Sequence, residues 1–383
     1  RGRPTNVAEK SRERLVPAGF RRAAPRRSAT GRRPANHPDA AVAAGELVAG
    51  RFPGTKGRPP TAVDQSPSMP ASRPLALRHA VRAGIAAALI GLAPAAPAFA
   101  VVILDGTWRE EGGAKGRESA GFGAHLRLAA EPQFRSVLAF ASDGETWGEA
   151  SGTWIGNDDT HAFVLTAAHV YEKPARANAY VVRGPKGEVL KADRVWLHPG
   201  WNGDNDTRTG FDLAIVRLTK RIDGVGPQPL LYGGKAEAGK LVTFVGYGNR
   251  GTGSSGEKAA YHTGSAKAAA QGIVDQWVDI ADPVPRDDDG GNYLGVFLPK
   301  EDGSIANPYG GARKPATRLV GLLGAGDSGG STWMRLGSRW VIVGVNGNGT
   351  GKARYGDSSW MARVSPHRDW IVGHFPGARF VDR

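Results

Sequence analysis

The 383-residue sequence has no cysteine and only three methionines. Without cysteine there is no disulfide framework, no thiol nucleophile, no cysteine metal site and no lipid held through a thiol. Small exported domains often rely on disulfides, so a chain without them needs a large apolar core, and roughly 280 residues can build one. Acidic residues are scarce in the first quarter: residues 1–100 hold 5 Asp and Glu against 17 Lys and Arg, and residues 101–383 hold 31 against 33. The formal charge of +14 therefore belongs to the first hundred residues, and the near-neutral remainder gives no charge argument for a polyanion partner. The ten tryptophans are scattered rather than interleaved with basic residues, so no nucleic-acid surface is expected. No internal repeat of fixed period occurs.

Long apolar runs are also missing, with one exception. Residues 69–100 read MPASRPLALRHAVRAGIAAALIGLAPAAPAFA. Arg73, Arg78 and Arg82 form a basic head, Ala83 to Ala95 an apolar stretch too short to span a bilayer, and Ala98-Phe99-Ala100 a small-residue cleavage site. This pattern predicts a secretory signal peptide, hence a secreted or periplasmic product without a stable membrane anchor. A buried alanine-rich helix would leave the basic flank and the cleavage site as coincidences. Residues 1–68 are rich in Arg, Pro and Ala and lack apolar periodicity, so no fold is expected there. They read as upstream sequence ahead of a start at Met69, or as a disordered basic arm.

Residues 101–130 are Gly-rich and charged and read as an N-terminal or pro-segment. From about Phe134 the chain becomes short apolar runs separated by Gly, Asn, Asp and Pro. They include Ser136–Phe140, Phe163–Thr166, Val181–Arg183, Leu213–Leu218, Leu241–Val245 and Trp340–Val345. Such runs predict an all-β barrel or sandwich. Arg221 to Lys240 reads as a linker between two groups of strands, and 284–317 as a long polar insertion. A helical signal appears only at the end: Ser365-Pro366 as cap and first turn, Trp370 and Ile371 as the apolar face, Gly373 as a stop.

Three motifs then follow in one order: Leu165-Thr166-Ala167-Ala168-His169, Phe211-Asp212-Leu213-Ala214 and Gly326-Asp327-Ser328-Gly329-Gly330. A serine hydroxyl is a poor nucleophile unless a base takes its proton, and the base must be held in one tautomer. His169 follows an apolar run that can anchor it at a strand end. Asp212 lies in a run so apolar that its burial needs a partner, though an aspartate in a surface turn would read the same. Gly326 permits a sharp turn, and the N–H groups of Gly326 and Ser328 can point at a developing oxyanion. Gly-x-Ser-x-Gly is also the nucleophile elbow of α/β-hydrolases. That fold needs its acid and histidine after the serine, and the 55 residues beyond Ser328 leave too little chain for them.

With these motifs go Ser151-Gly152-Thr153-Trp154-Ile155-Gly156, Val242 to Gly248, Val343-Gly344-Val345 and Asp369-Trp370-Ile371. Together they resemble the chymotrypsin/trypsin-like serine peptidase family over residues 131 to 375. The resemblance implies two antiparallel six-stranded β-barrels, about 131–225 and 240–364, a cleft between them holding the active site, and a short C-terminal helix. It implies His169 as general base, Asp212 as its orienter, Ser328 as nucleophile, and Gly326 and Ser328 as oxyanion donors. Leu322 falls at the position six residues before the serine, where trypsin-like members carry an aspartate, so an apolar or small P1 residue is expected rather than Arg or Lys. Gly347 and Gly349 align with the pocket wall.

In many relatives the acid before the serine, here Asp327, pairs with a newly cut N-terminal amine. No matching segment is evident, and a cut after Arg127 is the expectation by distance. The reading is a monomeric, exported serine endopeptidase with a protein or peptide substrate and no required cofactor. An esterase and an inactive binding protein on the same scaffold are the alternatives. Calcium is a candidate at Asp204 with Asp206 and at Asp287-Asp288-Asp289 with Asn292, where oxygen ligands cluster, although neither follows the twelve-residue loop pattern.

Overall fold

The computed structural model describes residues 101–383 except 172–174, 203–209, 259–260, 262–265 and 279–291. The N-terminal segment is built into the fold. Strand β1 (Val102–Ile103) leads into α1 (Asp105–Glu110), and α2 (Gly123–Ala129) follows. These helices run six and seven residues, too short to print a period on the sequence. Val101 to Leu104 and Phe122 are buried in the first core cluster, and Leu128 and Ala129 in the second. Residues of the 101–130 segment thus pack into both core clusters.

The next six strands are β2 (Val137–Ala141), β3 (Ala150–Asn157), β4 (Ala162–Thr166), β5 (Val181–Arg183), β6 (Val189–Leu197) and β7 (Ala214–Leu218). They close into an antiparallel barrel of order β2-β3-β4-β7-β6-β5. Its interior is filled by Leu138, Phe140, Val164, Val182, Leu190 and Val216, among others.

The remaining strands are β8 (Leu230–Tyr232), β9 (Leu241–Gly246), β10 (Gly251–Thr252), β11 (Gly256–Glu257), β12 (Ala268–Val278), β13 (Tyr293–Phe297), β14 (Gly321–Leu322), β15 (Ser331–Leu336), β16 (Arg339–Gly349), β17 (Ser358–Arg363) and β18 (Phe380–Val381). Eight of them form one sheet of order β15-β9-β12-β13-β17-β16-β8-β18, and β15 also pairs with β16. The hydrogen bonding of the first six strands therefore returns to its start. A smaller sheet has the order β11-β10-β1-β14. One apolar cluster joins the closed barrel to the eight-stranded sheet: Leu165, Ala167 and Ile215 pack with Val245, Trp333 and Val345.

Three expectations are corrected. Arg221 to Lys240 is more than a linker, since it holds β8, which pairs in parallel with β16 and β18. It also carries Glu237, fully buried and bound to Arg363 at 2.8 and 3.0 Å. The polar insertion from 284 contains β13, every residue of which is buried between β12 and β17; its start, 284–291, lies outside the described residues. At the C-terminal helix α3 (Arg368–His374), Ser365 does not cap: a short 3-10 turn, Ser365–His367, precedes α3, and the Ser365 hydroxyl donates to Glu237. Gly373 lies inside the helix.

Candidate active site

Pairing of β4 with β7 places Thr166 opposite Ala214. His169, three residues beyond the end of β4, and Asp212, two before the start of β7, therefore emerge at the same end of adjacent strands. A single 3-10 turn, Ala168–Val170, carries the histidine. The Asp212 carboxylate is fully buried and takes two hydrogen bonds from one residue: the His169 backbone N–H at 2.9 Å and ring Nδ1 at 2.7 Å. Burial without partners would be costly, and this double grip provides them. With the carboxylate accepting at Nδ1, the proton sits there, and Nε2 presents a lone pair. Ser328 Oγ lies 2.8 Å from that Nε2, and 3.3 Å from the Gly347 carbonyl. The structure thus brings His169, Asp212 and Ser328 into one hydrogen-bonded chain.

The loop before Ser328 is fixed by its carbonyls. The Ala325 carbonyl accepts from the Asn249 N–H at 2.6 Å, and the Asp327 carbonyl from the Gly330 N–H at 2.9 Å. In a trans peptide the C=O and N–H of one unit point opposite ways. The N–H groups of Gly326 and Ser328 are therefore turned away from these bonds, with Gly326 held at φ 93°. Ser151 ties this loop to the barrel. Its hydroxyl donates to the Gly326 carbonyl at 2.9 Å and accepts from Tyr247 N–H at 3.0 Å, and its N–H donates to the Ser328 carbonyl at 2.8 Å. Gly329 packs so closely on the barrel that a Cβ there would lie 2.0 Å from Thr166 Oγ1. Sequence reading missed Ser151, whose only signal was its place in the Ser151–Gly156 run.

A cavity of about 240 Å³ opens at Ser328, lined by His169, Leu323–Ala325, Gly347–Gly351, Glu257, Ala353 and Ser359. Gly347 and Gly349 are in its wall as expected. Leu322 is not: it is fully buried and pairs with Val102 in the small sheet, and Leu323 lines the cavity instead. A larger cavity of about 520 Å³, bounded by Arg135, Arg183 and Lys267, includes no member of the triad. A side chain at Gly347 would approach Asp212 Oδ2 to 3.5 Å from its Cβ, so glycine stands where another residue could have supported the carboxylate.

Asp327 is also fully buried. Its carboxylate accepts from the backbone N–H groups of Gly324 at 2.8 Å, Gly248 at 2.9 Å and Val101 at 3.1 Å. Desolvation still pushes its carboxyl up to about 7. The donor at this site is Val101, not a terminus after Arg127. Arg127 lies within α2 and pairs with Glu111 at 2.8 Å. The calcium candidates Asp204, Asp206, Asp287, Asp288 and Asp289 lie outside the described residues. Asn292 uses its carbonyl to accept from Arg363 N–H. Among the described residues no cluster of three or more His, Asp or Glu side chains is placed to hold a metal.

Residues 150–311 match the family model of the trypsin-like peptidase domain. None of the curated proteins matches the chain. The matched segment contains His169 and Asp212, and Ser328 joins it through the 2.8 Å contact to His169. By this match residues 150–311 are similar to trypsin-like peptidase domains, which supports the resemblance to the chymotrypsin/trypsin-like serine peptidase family.

Proposed function

We propose that the protein is an exported serine endopeptidase that cleaves peptide bonds through an acyl-enzyme on Ser328. The observation that carries this reading is the continuous chain Asp212–His169–Ser328, with links of 2.7 and 2.8 Å. Ser328 Oγ attacks the scissile carbonyl carbon as its proton passes to His169 Nε2. The buried Asp212 carboxylate stabilises the resulting imidazolium. Negative charge on the former carbonyl oxygen is met by the N–H groups of Gly326 and Ser328. His169 returns the proton to the departing amine, and water repeats the sequence in reverse roles to release the acid. The six mutually paired strands of the large sheet support reading them as a second barrel facing the first across the site.

The P1 side chain would enter the 240 Å³ cavity. Leu323 and Ala353 with small polar Ser359 support an apolar or small P1 residue. Glu257 also lines this cavity, and one of its carboxylate oxygens accepts from the Ala325 N–H at 3.2 Å. The leader pattern at 69–100, outside the described residues, supports export to the periplasm or beyond.

The test is the intact mass after exposure to a fluorophosphate, beside Ser328→Ala, followed by a peptide-library cleavage profile. One adduct on the wild type alone and cleavage after apolar or small residues are expected. No adduct would overturn the nucleophile, and a profile dominated by Arg or Lys would overturn the pocket reading. Esters share the acylation chemistry, so turnover of casein separates a peptidase from an esterase.

A further inference from the structure

The cavity of about 520 Å³ has no part in the acylation chemistry, yet its wall carries one sign of charge. Its charged lining residues are Arg135, Arg183 and Lys267, all cations. They come from three segments: Arg135 precedes β2, Arg183 ends β5, and Lys267 stands just before β12. Cations gathered on a concave wall repel one another and raise the potential inside it. Lys267 Nζ donates to the Phe134 carbonyl at 2.5 Å. Burial, and then Arg135, pull its ammonium down to about 8, so it stays charged at neutral pH. Among the described residues no carboxylate pairs with Arg135 or Lys267. The acid nearest Arg183 in sequence, Glu188, holds the Lys186 N–H at 2.8 Å and is not part of the cavity wall. Tyr247 adds to the wall a phenol that burial keeps protonated, pushed up to about 12.

Strand register ties this wall to the nucleophile. Ser151 N–H donates to the Ser328 carbonyl at 2.8 Å, Ser151 lies opposite Ala139 on β2, and Ala139 lies opposite Arg183 on β5. Two strand spacings put the Arg183 Cα about 10 Å from that of Ser151. From the other side, Tyr247 N–H donates to Ser151 Oγ at 3.0 Å. The 240 Å³ cavity meets the serine loop at Gly324 and Ala325 and shares no residue with the larger one. A substrate whose P1 side chain fills the smaller cavity therefore has its departing half free to follow the Ser151 side of the loop. We propose that the larger cavity is a carboxylate subsite for that departing half. It takes an acidic side chain roughly two to four residues beyond the scissile bond, at about 3.3 Å per extended residue. The proposal rests on the serine-endopeptidase reading. Guanidinium forks match the planar carboxylate, and the ammonium and phenol supply further donors. A basic side chain at the same place would meet three like charges and is rejected. Substrates are thus selected by two unlike features, an apolar or small P1 residue and an acid downstream.

The test uses the full chain and quenched fluorogenic peptides that differ only in carrying Asp, Asn or Lys at the second to fourth residue after the cleaved bond. For the wild type, kcat/KM is expected to be about tenfold or more higher for the Asp peptide than for the Asn peptide, as a charge-assisted contact gives. A ratio near one at every position overturns the proposal. Arg135 is exposed, so its replacement leaves the core untouched. Arg135→Gln is expected to shrink the ratio, and Arg135→Glu to invert the order so that the Lys peptide is preferred to the Asp peptide. An inverted order cannot arise from misfolding, and an unchanged ratio in both variants overturns the proposal. If no peptide is cut, the endopeptidase reading fails, and binding decides. Ser328→Ala is then titrated with the same peptides and, separately, with inorganic phosphate. Binding of the Asp peptide about tenfold or more tighter than the Asn peptide, lost when Arg135→Glu is added, upholds the carboxylate subsite. Binding of phosphate with no discrimination between the peptides assigns the cavity to a free anion and overturns the proposal, as does no binding at all.

Discussion

Two buried aspartates divide the site into unlike halves. Asp212 is held by a single residue, His169, 43 positions away, through two hydrogen bonds. Asp327 is held by three backbone N–H groups from three separate segments, the most distant 226 positions away. The first half follows from one pair of adjacent strands, because β4 and β7 deliver base and orienter at the same end. The second needs the N-terminal strand, the Gly246–Asn249 turn and the barrel residue Ser151 all in place. A base with its orienter is a local product of a sheet, and an oxyanion site is a product of the whole domain.

The comparison breaks most sharply in the first half. Asp212→Asn removes the acceptor that fixes the histidine tautomer, and kcat is expected to fall by about 10⁴ with little change in KM. Steady-state kinetics on a peptide substrate measure it. In the second half, Asp327→Asn leaves the nucleophile and base untouched but loosens the anion donors, for an expected loss of about 10² to 10³ in kcat. If the Asp327 variant lost as much as the Asp212 variant, the two halves would not be separable.

Acid acts on stability. Two buried histidines are kept neutral. His125, 2.7 Å from the Ala269 carbonyl, is pushed down to about 4 by burial. His367, 3.1 Å from the Gly210 carbonyl beside Asp212, is pushed down to about 4 by burial and then by His198. The unfolded chain takes up these protons near pH 6.5, and the native chain only near 4. Stability is therefore complete above pH 6.5 and is lost as pH falls towards 4, by on the order of 3 kcal/mol per histidine at most. Asp327, pushed up to about 7, works in the opposite sense over the same range, so the decline due to a histidine is read as the difference in melting temperature between the wild type and His125→Gln from pH 7 to pH 4. His125→Gln should flatten it without moving the pH profile of kcat.

The smallest effect concerns the link between the halves. Ser151→Ala leaves the Gly326 carbonyl and the Tyr247 N–H without their side-chain partner, an expected loss of roughly 1–3 kcal/mol in stability. The accompanying fall in kcat is expected to be about tenfold, because one carbonyl near the anion donors is released. Urea denaturation and kinetics on the same preparation test both.

Legibility followed the same division. His169, Asp212 and Ser328 stood out because nucleophilic chemistry needs fixed residue types in tight local frames. β5 was read at its observed bounds, and β2, β4, β7 and β9 within a residue or so, because each is a short apolar run between turn residues. The partner of Asp327 could not be read, since nothing in Val101-Val102-Ile103 announces a pairing with residues 251 and 322. Leu322 was assigned to the pocket by counting back from the serine, and its pairing with Val102 turns it into the core. Glu237 read as a linker charge because its partner, Arg363, is 126 positions away. β13 was lost inside a polar surrounding, although Tyr-Leu-Gly-Val-Phe is itself an apolar run.

The serine loop has a consequence for isotope exchange. Over five consecutive residues, three backbone amides are bonded: Asp327 to the Gly324 carbonyl, Gly329 to that of Asn346 and Gly330 to that of Asp327. Those of Gly326 and Ser328 are the oxyanion donors of the proposed mechanism. In deuterated solvent the stretch should therefore exchange as fast, slow, fast, slow, slow. A bound transition-state analogue should slow only the two fast positions, giving a fingerprint of the anion site that needs no turnover at all.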